Sequence, residues 1–253
     1  MSDKIPLKNI PIPPKEKTID LYASRKKIYV KEITGFFQKI RKFSLWALMG
    51  MYFITCWIQV NGMQIVYFDL PNRKFHLFGT TFWPQDFVLL SWILIICAFG
   101  LFFVTTMFGR IWCGYTCPQT AWTFIFMWVE ERIEGSRNQR IKLDNADNNA
   151  TKIIKKATKH FAWLAIAFAT GLTFVGYFYP IRELVPDLLT LDIASGWAYF
   201  WIGFFTVATY ANAGWMREQV CLYMCPYARF QSVMFDQDTM VVSYDPGRGE
   251  ARG

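Results

Sequence analysis

Cys113 and Cys117 stand four positions apart in GRIWCGYTCPQTAW, residues 109–122, with Pro118 directly after the second. Cys221 and Cys225 repeat the pattern in REQVCLYMCPYARF, residues 217–230, followed by Pro226. Thiolates are soft ligands, and four of them suit Cu(I), zinc or an iron–sulfur cluster. Positions i and i+4 share one helix face, one turn apart. Proline cannot continue a regular helix without loss, so each pair should mark a kink or a new helix start. Arg110, Arg217 and Arg229 lie beside the pairs. A nearby guanidinium lowers a thiol pKa and favours the thiolate. A single pair would read as packing. Two pairs with one spacing and one following proline read as metal or redox chemistry.

The elements that carry these thiols follow from the apolar residues. The chain has 253 residues, 53% apolar and 18% charged, which is greasy for a water-exposed domain. Four stretches carry no charge: Phe43–Phe68, Phe87–Phe108, Phe161–Pro180 and Ile193–Met216. Each is long enough to cross about 30 Å of hydrocarbon as a helix. Backbone in lipid must satisfy its own hydrogen bonds, so helices are expected. Buried helices of a water-soluble core would carry polar stripes, which these stretches lack. The expected fold is an all-α membrane protein with spans near 43–65, 87–108, 160–180 and 195–213. A basic tail, 1–42, precedes them and reads as unfolded at its Pro-rich start. It has no cleavable signal, so the first span is a permanent anchor.

Lysine and arginine counts orient the chain. Of 27 such residues, 24 fall in the tail, in the loop 109–159 and in 214–253; Arg73, Lys74 and Arg182 fall in the other two loops. Basic loops stay cytoplasmic. Both ends and the central loop are therefore expected on the cytoplasmic side of a bacterial inner membrane. Anionic lipid accounts for the net charge of +8, and no nucleic-acid partner is implied. An even number of spans separates the cysteine pairs, so both fall on one face. They are 108 residues apart. The chain reads as two copies of a helical hairpin followed by Cys-x-x-x-Cys-Pro, and such repeats tend to build a site at their interface.

Other residues read as structural. Cys56 and Cys97 sit in apolar surroundings and serve as small hydrophobes. His76 and His160 have no partner at ligand spacing. Met216 and Met224 read as packing. QTAWTFIFMWVEERIEG, residues 119–135, is expected as a helix lying at or dipping into the cytoplasmic interface. NQRIKLDNADNNA, residues 138–150, reads as a loop.

The blocks GRIWCGYTCPQTAWTFIFMWVEERIEGSRNQRIKLD and REQVCLYMCPYARFQSVMFDQDTMVVSYDPGRGEAR, with the four-span layout, resemble the CcoG/FixG/RdxA family of accessory proteins for assembly of the cbb-type cytochrome oxidase. The resemblance covers the chain from about residue 20. The membrane part is similar also to NapH/NosR-type iron–sulfur subunits. The resemblance implies reduction of Cu(II) to Cu(I) for the oxidase, with copper-delivery proteins as further partners and an electron donor left open. It places the family's paired cysteines at Cys113, Cys117, Cys221 and Cys225. Relatives continue into a ferredoxin-type domain holding 4Fe–4S clusters. No Cys-x-x-Cys-x-x-Cys run occurs here, so residues 214–253 are expected to begin the linker to that domain. Two rival readings stand beside cupric reduction: an iron–sulfur carrier between a quinol and a cytoplasmic partner, and a scaffold whose cysteines only pack.

Overall fold

A computed structural model describes residues 29–30, 34–147, 149–190, 196–236 and 238–240. Most of the tail and the start of the linker after 240 lie outside the described residues.

The first helix, α1, spans Phe36–Thr55. It starts before the expected span and ends well short of residue 65. The reason is Asn61-Gly62. Both residues adopt positive φ, as a two-residue hairpin turn requires. The turn joins β1 (Gln59–Val60) to β2 (Met63–Gln64). Three more strands follow, β3 (Val66–Asp69), β4 (Lys74–Leu77) and β5 (Thr80–Phe82), as an antiparallel sheet in the order β3-β4-β5. The expectation of an all-α chain is corrected here: a small β section connects the first two long helices. β3 and β4 are half-buried along their length, while both residues of β1 are exposed.

The helices α2 (Phe87–Phe108), α3 (Ile111–Tyr115), α4 (Pro118–Glu134), α5 (Arg137–Asn145) and α6 (Ala150–Gly176) come next. After them come α7 (Ile181–Thr190), α8 (Gly196–Thr209) and α9 (Pro226–Met234). A π-helical stretch, Tyr210–Met216, extends α8, and a second, Val220–Met224, leads to α9. Among the described residues, two helical segments are long and apolar enough to cross a membrane: Pro84–Phe108 and Ala150–Gly176.

The core forms around α4 and α6. Trp122 Nε1 donates to Thr170 Oγ1 at 3.1 Å, and Trp163 Nε1 donates to the Phe126 carbonyl at 3.0 Å. Glu134 pairs with Lys159 at 2.8 Å. As α4 advances from 122 to 134, its partners on α6 recede from 170 to 159, so the two helices are antiparallel. Leu45 and Met49 of α1 pack on Ala121 and Ile125. The helix expected over 119–135 is α4, and Ala121, Ile125, Phe126 and Val129 make the face it buries in the bundle.

The α6–α8 contact is the closest in the bundle. A Cβ on Gly171 would lie 2.8 Å from the Ile202 carbonyl and 2.9 Å from Thr206 Oγ1. Small residues permit such approach where lipid removes the hydrophobic drive between helices. Residues 137–145, expected as loop, are helical. Gln139 Oε1 accepts the Ser136 backbone N–H at 3.0 Å, half of a capping box.

Candidate redox and metal centre

Each cysteine pair straddles a joint between two helices. Cys113 lies in α3 and Cys221 in the second π-helical stretch. Cys117 and Cys225 are the N-cap residues of α4 and α9, both with extended backbone, and Pro118 and Pro226 are the first helical residues. A proline fits that position because its missing N–H would be unpaired there anyway. The pairs are thus not one turn apart on a continuous helix, as i,i+4 spacing alone suggested. The prolines start new helices.

The two joints are closed the same way. The Cys117 N–H bonds the Trp112 carbonyl at 3.0 Å, and the Cys225 N–H bonds the Val220 carbonyl at 2.9 Å. Both bonds reach five residues back, the π-type spacing. Residues 109 and 217, one repeat apart, both have positive φ.

The two pairs lie within electrostatic reach of one another. The Cys113 thiol is pushed above its ordinary range by burial, then by its neighbours Cys117, Cys221 and Cys225, against a lowering influence from Arg110. Burial also raises Cys221, followed by Cys117, Cys225 and Glu218. All four thiols are half-buried and free. Among the described residues, no three His, Cys, Asp or Glu side chains close on one point as a single metal ion requires. The donor set itself is all sulfur, which suits soft metals and iron–sulfur clusters.

Arg110 acts on Cys113 in the expected, lowering direction. Burial outweighs Arg110 at Cys113. Arg217 is turned away to Glu130, with Nη2 2.6 Å from Oε2, and its Nε donates to the Gly214 carbonyl at 3.1 Å. Its guanidinium also lies over the Trp163 ring at 5.4 Å. Arg229, on α9, is not among the principal groups acting on either raised thiol.

Sequence reasoning missed several neighbours of the thiols. Gln119 Nε2 donates to the carbonyls of Asn212 and Arg217, at 3.1 and 3.3 Å. Gln231 Nε2 donates to the Gly109 carbonyl at 3.1 Å, and Gln231 Oε1 faces Cys113 Sγ at 3.9 Å. Tyr227 bonds Thr105 of α2 through their hydroxyls. Glu130 was the findable one, a carboxylate at the end of an apolar run.

The remaining cysteines stay outside the site. Cys56 is fully buried with Val175, Ile181, Leu184 and Ile202, and its thiol donates to the Phe53 carbonyl at 3.3 Å. Cys97 is exposed on α2, which packs little against the bundle. His76 meets Thr81 Oγ1 at 2.9 Å and His160 meets the Tyr210 hydroxyl at 2.8 Å. Met224 is exposed rather than packed.

Two family models match the chain. A 4Fe-4S binding domain matches residues 90–133, and a 4Fe-4S dicluster domain matches residues 216–253. The first contains Cys113 and Cys117, the second Cys221 and Cys225. Both paired motifs thus fall inside regions that match iron–sulfur family models. The chain is 42% identical over 237 residues to nitrogen fixation protein FixG of Rhizobium meliloti, covering 92% of this chain and 45% of that protein. It is 40% identical over 238 residues to protein RdxA of Cereibacter sphaeroides, covering 92% of this chain and 50% of that protein. Protein RdxB of the same organism is 39% identical over 245 residues, covering 95% and 51%. No solved structure matches this chain. The chain spans about half the length of these curated relatives, and over that span it is similar to the FixG and RdxA proteins from near its start to near its end.

Proposed function

We propose that this chain is the membrane part of an iron–sulfur redox protein that delivers single electrons to Cu(II) during assembly of a cbb-type cytochrome oxidase. The single observation that carries the reading is that Cys113 and Cys117 lie within electrostatic reach of Cys221 and Cys225, from segments 108 residues apart, each inside a 4Fe–4S family match. In this reading the chain crosses the inner membrane four times as two hairpins. The basic loops keep both cysteine pairs on the cytoplasmic side.

Cys113, Cys117, Cys221 and Cys225 would hold the cluster. A 4Fe–4S cluster held there would supply one electron per Cu(II), which becomes Cu(I), by its own one-electron oxidation. The residues of the chain do the rest. Burial favours the protonated form of the metal-free Cys113 and Cys221 thiols, so loading there releases protons. The paired prolines and the five-residue turns fix where each sulfur starts. Sulfur favours Cu(I) over Cu(II), so the same thiols could also take the product ion directly.

Anaerobic purification followed by iron, acid-labile sulfide and copper analysis tests this, with electron paramagnetic resonance and a Cu(I)-specific chelator assay. Iron with sulfide and Cu(I) formation, both lost in Cys113→Ser and Cys225→Ser, is the expected result. Iron with sulfide but no Cu(I) formation leaves an electron carrier. Stoichiometric copper without iron makes the site a copper site. Unchanged metal content and Cu(I) formation after loss of all four cysteines would leave only a scaffold.

A further inference from the structure

We propose that Gln119 and Gln231 are reciprocal positioning residues that hold the two cysteine pairs at one separation, and that Gln231 tunes the site through the Cys113 sulfur. The proposal rests on the iron–sulfur reading above for the second part only.

Each glutamine belongs to one half of the repeat and grips the other. Gln119 follows Cys117 by two residues, and its amide bridges the carbonyls of Asn212 and Arg217, the lead-in to Cys221. Gln231 follows Cys225 by six residues, and its amide donates to the carbonyl of Gly109, the lead-in to Cys113. Gly109 and Arg217 are the positive-φ residues where the helices break. A break frees carbonyls that need new donors. At Gly109 the donor comes from the opposite half; the Asn212 and Arg217 carbonyls take the Arg217 and Val220 N–H groups of their own half and Gln119 from the other. The duplicated sequence does not dictate this. The repeat-equivalents of Gln119 and Gln231 are Tyr227 and Thr123. Two unrelated positions have arrived at the same crossing bond.

Gln231 does more than bridge. It is 3% exposed, and its carbonyl oxygen faces the Cys113 thiol while its NH₂ is held by Gly109. That orientation suits a protonated sulfur. A thiolate ligand needs the reverse, an N–H toward sulfur; a half-turn of the amide supplies it and gives up the Gly109 bond, so Gln231 braces the metal-free site and tunes the loaded one. Hydrogen bonds to cluster sulfurs are among the terms that set the potential. Gln231 is thus a positioning residue placed to tune it, while Gln119 touches no thiol.

Two measurements test this. The first needs no metal: a chain retaining only Cys113 and Cys221 is treated with a short bis-maleimide. Gln119→Leu and Gln231→Leu should each lower the cross-link yield at least fivefold, with helix content unchanged. Wild-type yield in both overturns the braces. The second is the midpoint potential of the loaded protein with all cysteines present. Gln231→Leu should shift the one-electron equilibrium about tenfold toward the oxidised form, about 59 mV lower. Gln231→His, which restores an N–H donor, should recover most of it, and Gln119→Leu should move it far less. Should Gln231→Leu fail to fold, Gln231→Glu keeps its size, and an unshifted potential there overturns the tuning role. Absence of iron and sulfide from the wild-type chain overturns the cluster reading and the tuning with it, while cross-linking still judges the braces.

Discussion

Gly109 and Arg217, 108 residues apart, hold one backbone conformation: φ 60°, ψ −118° in the first and φ 45°, ψ −110° in the second. Only glycine adopts this region freely. The first repeat meets the demand with the residue type. The second meets it with arginine, whose side chain is anchored at Glu130. The strain at Arg217 is held by that anchor, and the identical bend is what aims each cysteine pair.

Gly109→Ala should therefore destabilise the chain by about 1–3 kcal/mol, the usual range for a strained backbone position. A Cβ there would also meet the Met240 carbonyl at 2.7 Å. Thermal unfolding in detergent, followed by circular dichroism, checks it. An unshifted midpoint would mean that the bend is not required.

The Arg217–Glu130 pair is buried, with side chains 12% and 2% exposed. Removing one partner leaves the other charge uncompensated, at about 3–5 kcal/mol. Glu130→Gln and Arg217→Met should each approach that loss. The double variant should lose less than the sum, because the coupling between the two is lost only once, while Arg140, 3.9 Å from Glu130, loses its carboxylate in both Glu130 variants. A double-mutant cycle on unfolding free energies reads the coupling.

The metal-free thiols Cys113 and Cys221 are held protonated by burial first and by the neighbouring thiols second. Their raised values favour the neutral form in the folded state. The stability this contributes is present below the ordinary thiol range and lost as pH rises through the raised values. Alkylation at these two positions should stay slow at pH 7.5 and accelerate only above the free-cysteine value of about 8.5. Mass spectrometry of timed iodoacetamide reactions at stepped pH measures it. Full labelling at pH 7.5 at the rate of an exposed peptide thiol would contradict the burial described.

Gly171→Leu should separate α6 from α8, since the added atoms would fall on the Ile202 carbonyl and Thr206. Overpacking of this kind costs about 1–3 kcal/mol. Cys56→Ala and Cys97→Ser should leave bound iron unchanged, since neither thiol reaches the site. Thermal unfolding serves the first case and iron analysis the other two.

Much of the centre was legible from residue types. The four cysteines, the two prolines and the 108-residue repeat mark the two joints by themselves, because proline geometry is a local property. The long apolar run 87–108 coincides with α2 for the same reason: a continuous stretch without turn residues has one regular solution. The run from Phe43 misleads because apolar count outweighed the Asn61-Gly62 turn within it. Ser136 and Gln139 carried a helix-start signal that the polar composition of the following residues obscured.

Residue types and spacing thus determined which atoms do chemistry here and how many times the motif occurs. Only the tertiary structure decided that the two pairs lie within electrostatic reach of one another, which face α4 buries in the bundle, that Arg217 serves Glu130 instead of a thiol, and that Gln119 and Gln231 cross between halves. Those outcomes depend on contacts between residues tens of positions apart. Such contacts arise from packing α4 against α6, and no local pattern encodes which carbonyl a buried amide will find.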